Sequence, residues 1–381
     1  MPIPYGRQSI DDADVAAVVE VLRGDWLTQG PSIRAFEAAV ESACDVPHAV
    51  AFSSATAALH ATAAVAGIGP GDELLTSANT FAASANAGAY VGATPRFADI
   101  DPDTLNVSAT TIADALTDRT RVVVPVHFAG LPAPVAQIRE VVGPDVVIVE
   151  DAAHAIGARA ADEPVGACRH SDMTVFSFHP VKIVTSGEGG MVTTRDPELF
   201  QRLLDFRTHG ITKDPARIAH PEQGWYMEQQ ELGFNYRMTD IQAALGASQM
   251  GKLERFIARR NEVAERYREG LGDLDMLDLA PGAPAGSLHA YHLFVVRHHG
   301  GAPSRLALYT ALRERGIYAQ VHYIPVYLHP WYRETYGYME GLCPQAERYY
   351  EQCLSLPCFP GLTGDEQEQV IAAVRELAPV V

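Results

Sequence analysis

The hydrophobic pattern changes period repeatedly from Pro31 to about residue 200. Short apolar runs without polar alternation, RVVVPV at Arg121–Val126 and DVVIV at Asp145–Val149, take turns with stretches of helical spacing at Ala55–Ala66 and Ala133–Val142. A strand apolar on both sides has to be covered on both faces, and parallel neighbours need a crossover that a helix supplies. The pattern therefore predicts an α/β fold, a mainly parallel sheet wrapped by helices. Upstream, Ser9 with Asp12 is a candidate capping pair ahead of Val15, Val18, Val19 and Leu22. Gly30-Pro31 opens a second helix whose Ile33, Phe36 and Val40 share a face.

Downstream, His209 to Leu232 is polar, aromatic and irregular, as lids and partner-contacting segments are. One long helical pattern runs from Thr239 to about Gly270, and Leu277–Leu288, rich in Pro and Gly, marks a boundary. The remainder reads as a smaller α/β unit, with strands near Tyr291–Val296 and Tyr318–His322 and helices around Pro303–Arg315 and Asp365–Leu377. A chain of 381 residues is long for one core. The expected division is a large unit with an N-terminal arm over residues 1–250 and a small one over 251–381.

Charge narrows the function. Lys and Arg number 29 against 47 Asp and Glu, a formal charge of -18. Such a surface repels phosphate backbones and anionic lipid, so nucleic acid and membrane are poor partners. The five cysteines, Cys44, Cys168, Cys343, Cys353 and Cys358, contain no CxxC pair, which argues for a reducing compartment and against a zinc knuckle. MPIPYGRQSIDD carries no apolar leader core, and a cytoplasmic location is expected. His289-x-x-His292 and His298-His299 lack an acidic or Cys partner at metal-ligand spacing, so no metal is expected. GASQMGK at Gly246–Lys252 has Leu253 where a phosphate-binding loop needs Ser or Thr, and it lies inside a helical pattern.

Four stretches fall at predicted strand ends or helix starts, where open α/β sheets bind ligands. FSSATAAL at Phe52–Leu59 is either a phosphate cup at a helix N-terminus or a plain capped helix. VVIVEDAAHAIG at Val146–Gly157 ends a strand on Glu150-Asp151, with His154 one turn later; the acidic pair reads as a helix cap, a ligand-facing carboxylate, or both. FSFHPVKIVTSGEGGMVTT at Phe176–Thr194 holds Lys182 among glycines, either presented to a bound group or set in a tight surface loop. In LGFNYRMTD at Leu232–Asp240, Asn235 and Arg237 are candidates for an anion. Pyridoxal phosphate (PLP) needs a lysine, a carboxylate for its ring nitrogen, a donor-lined phosphate cup and an aromatic face. Lys182, Asp151, FSSATAAL and Phe81 of SANTFAASANA supply all four.

The stretches DWLTQGPSIRAFE, FSSATAALHA, SANTFAASANA, VEDAAHAIGA, SFHPVKIVTSGEGG, LGFNYRMTDIQAALG and GIYAQVHYIPVY resemble the DegT/StrS nucleotide-sugar aminotransferases. The resemblance covers Tyr5 to about Pro360 and implies a fold-type-I PLP transferase, built like aspartate aminotransferase. AQVHYIPVY and SLPCFPGLT are most similar to the subgroup of the pseudaminic acid pathway. That similarity implies transfer of an amino group from L-glutamate to a UDP-linked 4-keto-6-deoxy N-acetamido sugar; a dTDP-keto sugar or a cyclitol (inosose) is the alternative substrate. By the same resemblance Lys182 forms the Schiff base and carries the proton, Asp151 holds the pyridinium, and His154 lies near the phenolic oxygen. It also implies that Ala55, Thr56 and Ser177 bind the phosphate, Phe81 stacks on the ring, and Asn235 reaches a partner's cofactor in a homodimer. Tyr5, Asp25, Trp26, Leu27, Thr28, Gln320, Val321, His322 and Tyr323 are implied to line the sugar-nucleotide site. Ser186 stands where the family often has Thr or Gly, and Trp26 and His329-Pro-Trp331 lie in substrate-side stretches that vary across it.

Overall fold

The computed structural model describes residues 2–381. Its main sheet has seven strands: β1 (His48–Phe52), β2 (Glu73–Ser77), β3 (Thr94–Ala98), β4 (Thr120–Val124), β5 (Val147–Asp151), β6 (Met173–Ser177) and β7 (Gly190–Thr194). They lie in the order β1-β7-β6-β5-β4-β2-β3, all pairs parallel except that β7 runs antiparallel to β1 and β6. The apolar runs do form buried strands, with shifted ends. Pro125 has no amide hydrogen for the ladder, so β4 stops at Val124. β5 starts later than DVVIV suggests and carries Glu150 and Asp151 into the sheet.

The first helix, α1 (Asp12–Arg23), is capped by Asp11, whose side chain accepts from Ala13 and Asp14 amides while Asp14 reaches back. Ser9 and Asp12 are therefore not the capping pair: the helix starts at Asp12, so the residue before it, Asp11, is the cap, and Asp14 is the residue that closes the box. Helix α2 (Pro31–Cys44) buries Ile33, Phe36 and Val40 as expected. Helices α3 (Ala55–Val65) and α4 (Ala82–Tyr90) follow β1 and β2. The single helix expected from Thr239 to Gly270 is two, α5 (Asp240–Met250) and α6 (Leu253–Leu271), separated at Gly251-Lys252. Lys252 leaves the helical path to place its ammonium between Asp11 (2.5 Å) and Asp14 (2.7 Å). GASQMGK thus ends α5, and Gly246 is required by packing, since a Cβ there would lie 2.6 Å from the Phe36 ring. Along α5, Ala243, Ala244, Gly246 and Met250 face inward, whereas Ile241 and Leu245 are half-buried.

A second sheet, β8 (Leu277–Leu279), β9 (Phe294–His298) and β10 (Cys353–Leu356), is wholly antiparallel and packs under Gly301–Glu314 and Gly364–Leu377. The stretch Leu277–Leu288, read as a boundary, thus begins with a strand. The strand expected over Tyr318–His322 shrinks to Ile317–Tyr318, which pairs in parallel with Ile3–Pro4 of the N-terminal arm. Gln320 then makes an isolated bridge to Ser355, and the chain leaves the sheet.

Helix α6 serves two cores. Leu253, Phe256 and Ile257 join Phe36, Val40, Phe176, Phe178 and Met191 against the large sheet, whereas Val263, Tyr267 and Leu271 join Ile3, Phe294 and Leu308. All five cysteines are free and buried. Among the described residues no helix is long and apolar enough to cross a membrane, and no group of three His, Cys, Asp or Glu could hold a metal.

Candidate active site

Successive residues of a strand point to opposite faces, so the ends of β5 and β6 send neighbouring side chains apart. Glu150 points to one side, where His127, Ser171 and Thr174 donate to its carboxylate. His127 Nδ1 accepts the Ala133 amide, so its Nε2–H is the donor to Glu150, at 2.7 Å. Burial pushes the Glu150 carboxyl up, but these donors outweigh it and hold the group below its ordinary range. Asp151 points to the other side, where Ser84 of α4 donates to Oδ2 at 2.6 Å and the Ala153 amide to Oδ1 at 3.0 Å.

Facing Asp151 is Lys182, on the loop between β6 and β7. That loop folds back on its own start: the Phe178 amide donates to Gly189 carbonyl, the Ser186 amide and Thr185 hydroxyl donate to Phe178 carbonyl, and the Lys182 amide to His179 carbonyl. The side chain is therefore presented from a fixed turn. Burial pulls the Lys182 ammonium down to about 8 from 10.5, with the Asp151 charge pulling the other way. The residue is half-buried by exposed area, and its desolvated amine favours presentation to a bound group over a solvated surface loop.

His154 completes the group. Its Nδ1 accepts the Ala129 amide at 3.3 Å, leaving Nε2 protonated and 3.3 Å from the Tyr323 hydroxyl. Burial, then the charges of Lys182 and His322, holds His154 well below the usual imidazole range, so it is neutral at pH 7. His322, buried and hydrogen-bonded to Ser355, is held down to about 3, chiefly by burial. Tyr323 reaches the cluster because its amide donates to Asn79 Oδ1. Tyr5 lies against His322 with ring centroids 5.2 Å apart, and the Phe81 ring centroid is 6.2 Å from that of Tyr323, the residue itself 61% exposed.

FSSATAAL sits close by. Ser54 caps α3 through the Ala57 amide, which leaves the first-turn amides of Ala55 and Thr56 free of side-chain caps. Gly190 pairs with Phe52 on one side and Ser177 on the other, bringing Ser177 beside this turn. A Cβ at Gly190 would meet Ser54 carbonyl at 2.4 Å, so only glycine lets the two approach.

The remaining residues stand apart from this cluster. Asp25, Trp26, Leu27 and Thr28 are exposed, tied to the start of α5 through Asp240 amide to Leu27 carbonyl and a Thr28–Thr239 bridge. Asn235 is exposed with its backbone bridged to Thr208, while Gln320 is exposed and Val321 half-buried. Sequence reasoning missed Ser84, Thr80, Asn79 and the His127–Glu150 pair, and weighed His292 only as a metal ligand. His292 is buried, its ring 4.4 Å from His154, with Nδ1 unpartnered; Asn79 Nδ2 is buried and unpartnered too.

A desolvated amine, an opposed carboxylate, open helix-start amides and buried polar atoms without protein partners fit the donor set of PLP. Residues 8–375 match the DegT/DnrJ/EryC1/StrS aminotransferase family. The spore coat polysaccharide biosynthesis protein SpsC of Bacillus subtilis is 38% identical over 379 residues, 98% of this chain and 97% of SpsC. The structure of Helicobacter pylori PseC, an aminotransferase of pseudaminic acid biosynthesis, superposes with TM-score 0.93 at 29% identity over all of both chains. Spr1654 of Streptococcus pneumoniae, in its PLP form, gives TM-score 0.92 at 28% identity over 100% of this chain and 99% of Spr1654. The fold is accordingly that of a fold-type-I PLP enzyme, and members of this family are PLP-dependent sugar transaminases. The chain belongs to the DegT/DnrJ/EryC1/StrS aminotransferase family.

Proposed function

We propose that this aminotransferase moves an amino group from L-glutamate to a UDP-linked 4-keto-6-deoxy N-acetamido sugar, giving a 4-amino sugar of the pseudaminic acid type. Lys182 facing Asp151 carries the reading, because a desolvated amine opposite a fixed carboxylate is what PLP chemistry needs at its two ends. When bound, PLP supplies the electron sink for the carbon that gains or loses the proton.

The chain's residues do the rest. Lys182 holds the cofactor and then moves the proton at Nζ. With its pKa near 8, roughly a tenth of the amine is neutral at pH 7, against roughly one in three thousand for an ordinary lysine. Asp151 would hold the ring nitrogen, neutral His154 would donate toward the phenolic oxygen, and Phe81 would stack on the ring. Ala55, Thr56 and Ser177 bind the phosphate. Tyr5, Asp25–Thr28 and Gln320–Tyr323 receive the sugar nucleotide. A homodimer would bring the exposed Asn235, Trp26 and Leu27 against a second copy's site, and the free cysteines suit the cytoplasm.

The test is to purify the protein with PLP, reduce with borohydride, and map the label. It should fall on Lys182. Glutamate with UDP- and dTDP-linked keto sugars then sets the substrate. Labelling elsewhere ends the site assignment, and preference for a dTDP sugar or an inosose moves the enzyme to another branch of the family.

A further inference from the structure

Ser84 takes no part in the mechanism above, yet it is fully buried and its hydroxyl touches the carboxylate on which that mechanism depends. Its Oγ lies 2.6 Å from Asp151 Oδ2, 2.7 Å from Thr80 Oγ1 and 3.3 Å from Phe81 carbonyl. One hydroxyl has one proton to give. The nearer and charged acceptor takes it, so Ser84 donates to Asp151 and accepts from Thr80. Thr80 is itself buried, and its proton fixes the direction of Ser84's.

The terminal torsion of an aspartate is broad when nothing holds it. Here each oxygen has its own donor from a different element: Ser84 from α4 and the Ala153 amide from the turn after β5. The plane of the carboxylate is thereby set by two rigid pieces of backbone. Phe81 caps the same helix three residues before Ser84, so α4 places both the exposed ring and the tether.

We propose that Ser84, oriented by Thr80, is a positioning residue that aims the Asp151 carboxylate at the ring nitrogen of the cofactor. The inference rests on the assignment of Asp151 to that nitrogen.

A double-mutant cycle tests it. Ser84→Ala, Ser84→Cys, Asp151→Asn and the two double variants are freed of cofactor and titrated with PLP, following absorbance and the induced circular dichroism of the bound ring. Cysteine keeps the size of serine with a weaker donor, which guards against a variant that merely fails to fold. Losing a hydrogen bond to a charged group should weaken PLP binding roughly tenfold or more and diminish the induced band. In the Asp151→Asn background the Ser84 changes should add less than about twofold, because their effect runs through that carboxylate. Losses that add in full assign Ser84 to packing alone and overturn the proposal, as does parental affinity with an unchanged band in both single Ser84 variants. If Asp151→Asn itself binds PLP as the parent does, the assignment of Asp151 fails instead.

Discussion

Without its cofactor the protein carries a half-buried, desolvated ammonium, and Lys182→Met should stabilise it. Burial brings the Lys182 pKa to about 8 from 10.5, a value that already contains the opposing pull of Asp151. At 1.36 kcal/mol for each tenfold, the charged amine costs the fold about 3 kcal/mol at pH 7. Between about 8 and 10.5 the unfolded chain keeps the proton that the folded one has lost. Stability therefore rises with pH across that window, and the cost is complete below it. Methionine fills a similar volume without the charge. Unfolding entropy of about 2.1 cal/mol/K per residue over 381 residues converts 3 kcal/mol into a rise of roughly 4 °C in Tm. Scanning calorimetry of cofactor-free parent and variant near pH 7 should show this gap, and near pH 10 the gap should have narrowed. A variant that melts at or below the parent near neutrality, or a gap that does not change with pH, refutes the picture of a desolvated lysine. With the proposed attachment of PLP to Lys182, the cofactor-loaded proteins should rank the other way, since only the parent would gain stability from a covalent bond to PLP.

Gly190→Ala puts a methyl 2.4 Å from Ser54 carbonyl and 2.7 Å from Ala55 nitrogen, so PLP affinity should fall roughly tenfold or more, read by titration, with about 1–3 kcal/mol lost in urea unfolding. Glu37→Ala strands Arg207, whose Nη1 lies 2.8 Å from Glu37, and frees the Ala51 amide on β1; chemical denaturation should show a loss of about 3 kcal/mol or more. For Asp14, burial pushes the carboxyl up, but hydrogen bonds from Lys252, Ser248, Asp11 and Gln249 outweigh it and leave the group below 3.8. Its contribution is thus present above the ordinary carboxylate range and lost on acidification, so parent and Asp14→Asn should differ by about 1–3 kcal/mol at pH 7 and converge as pH falls below 3.8.

The large sheet was legible because strands such as Val122–Val124 and Val147–Val149 lie between helix layers and have no polar face to disguise them. Where the reading slipped, the controlling interaction was distant in sequence. Gly251 caps α5 but is only a local hint of a stop; the residue that fixes the break is Lys252, whose ammonium's partners, Asp11 and Asp14, lie in and just before α1. The strand expected over Tyr318–His322 is cut short because its only parallel neighbour is the two-residue Ile3–Pro4. Lys182, Asp151 and His154, each singled out at a strand end or in the loop after one, are brought into one cluster by the parallel neighbours β5 and β6. Ser84 was within reach: it follows Phe81 by one helical turn, which places both on one face of α4. His292 was not, for its neighbour His154 is brought against it only by tertiary packing.

The acidic pair shows how the fold converts a strand end into chemistry. In the sequence Glu150 and Asp151 look interchangeable, and both readings, cap and ligand-facing carboxylate, stood open. Strand alternation separates them. Glu150 is held by donors from three segments, His127 after β4, Ser171 before β6 and Thr174 within it, and these cross the sheet on both sides of β5. Asp151 also pairs through its backbone, its carbonyl taking the His127 amide and its amide going to Pro125 carbonyl. With backbone and the adjacent side chain both immobilised, the Asp151 carboxyl keeps only its own torsions, and Ser84 and the Ala153 amide remove those. Loss of the Glu150 network should therefore be felt across the sheet, in cofactor affinity, although Glu150 faces away from Lys182. On the proposed assignment of Asp151 to the ring nitrogen, the carboxylate is aimed by anchoring the residue beside it, and the second acid of the motif is that anchor.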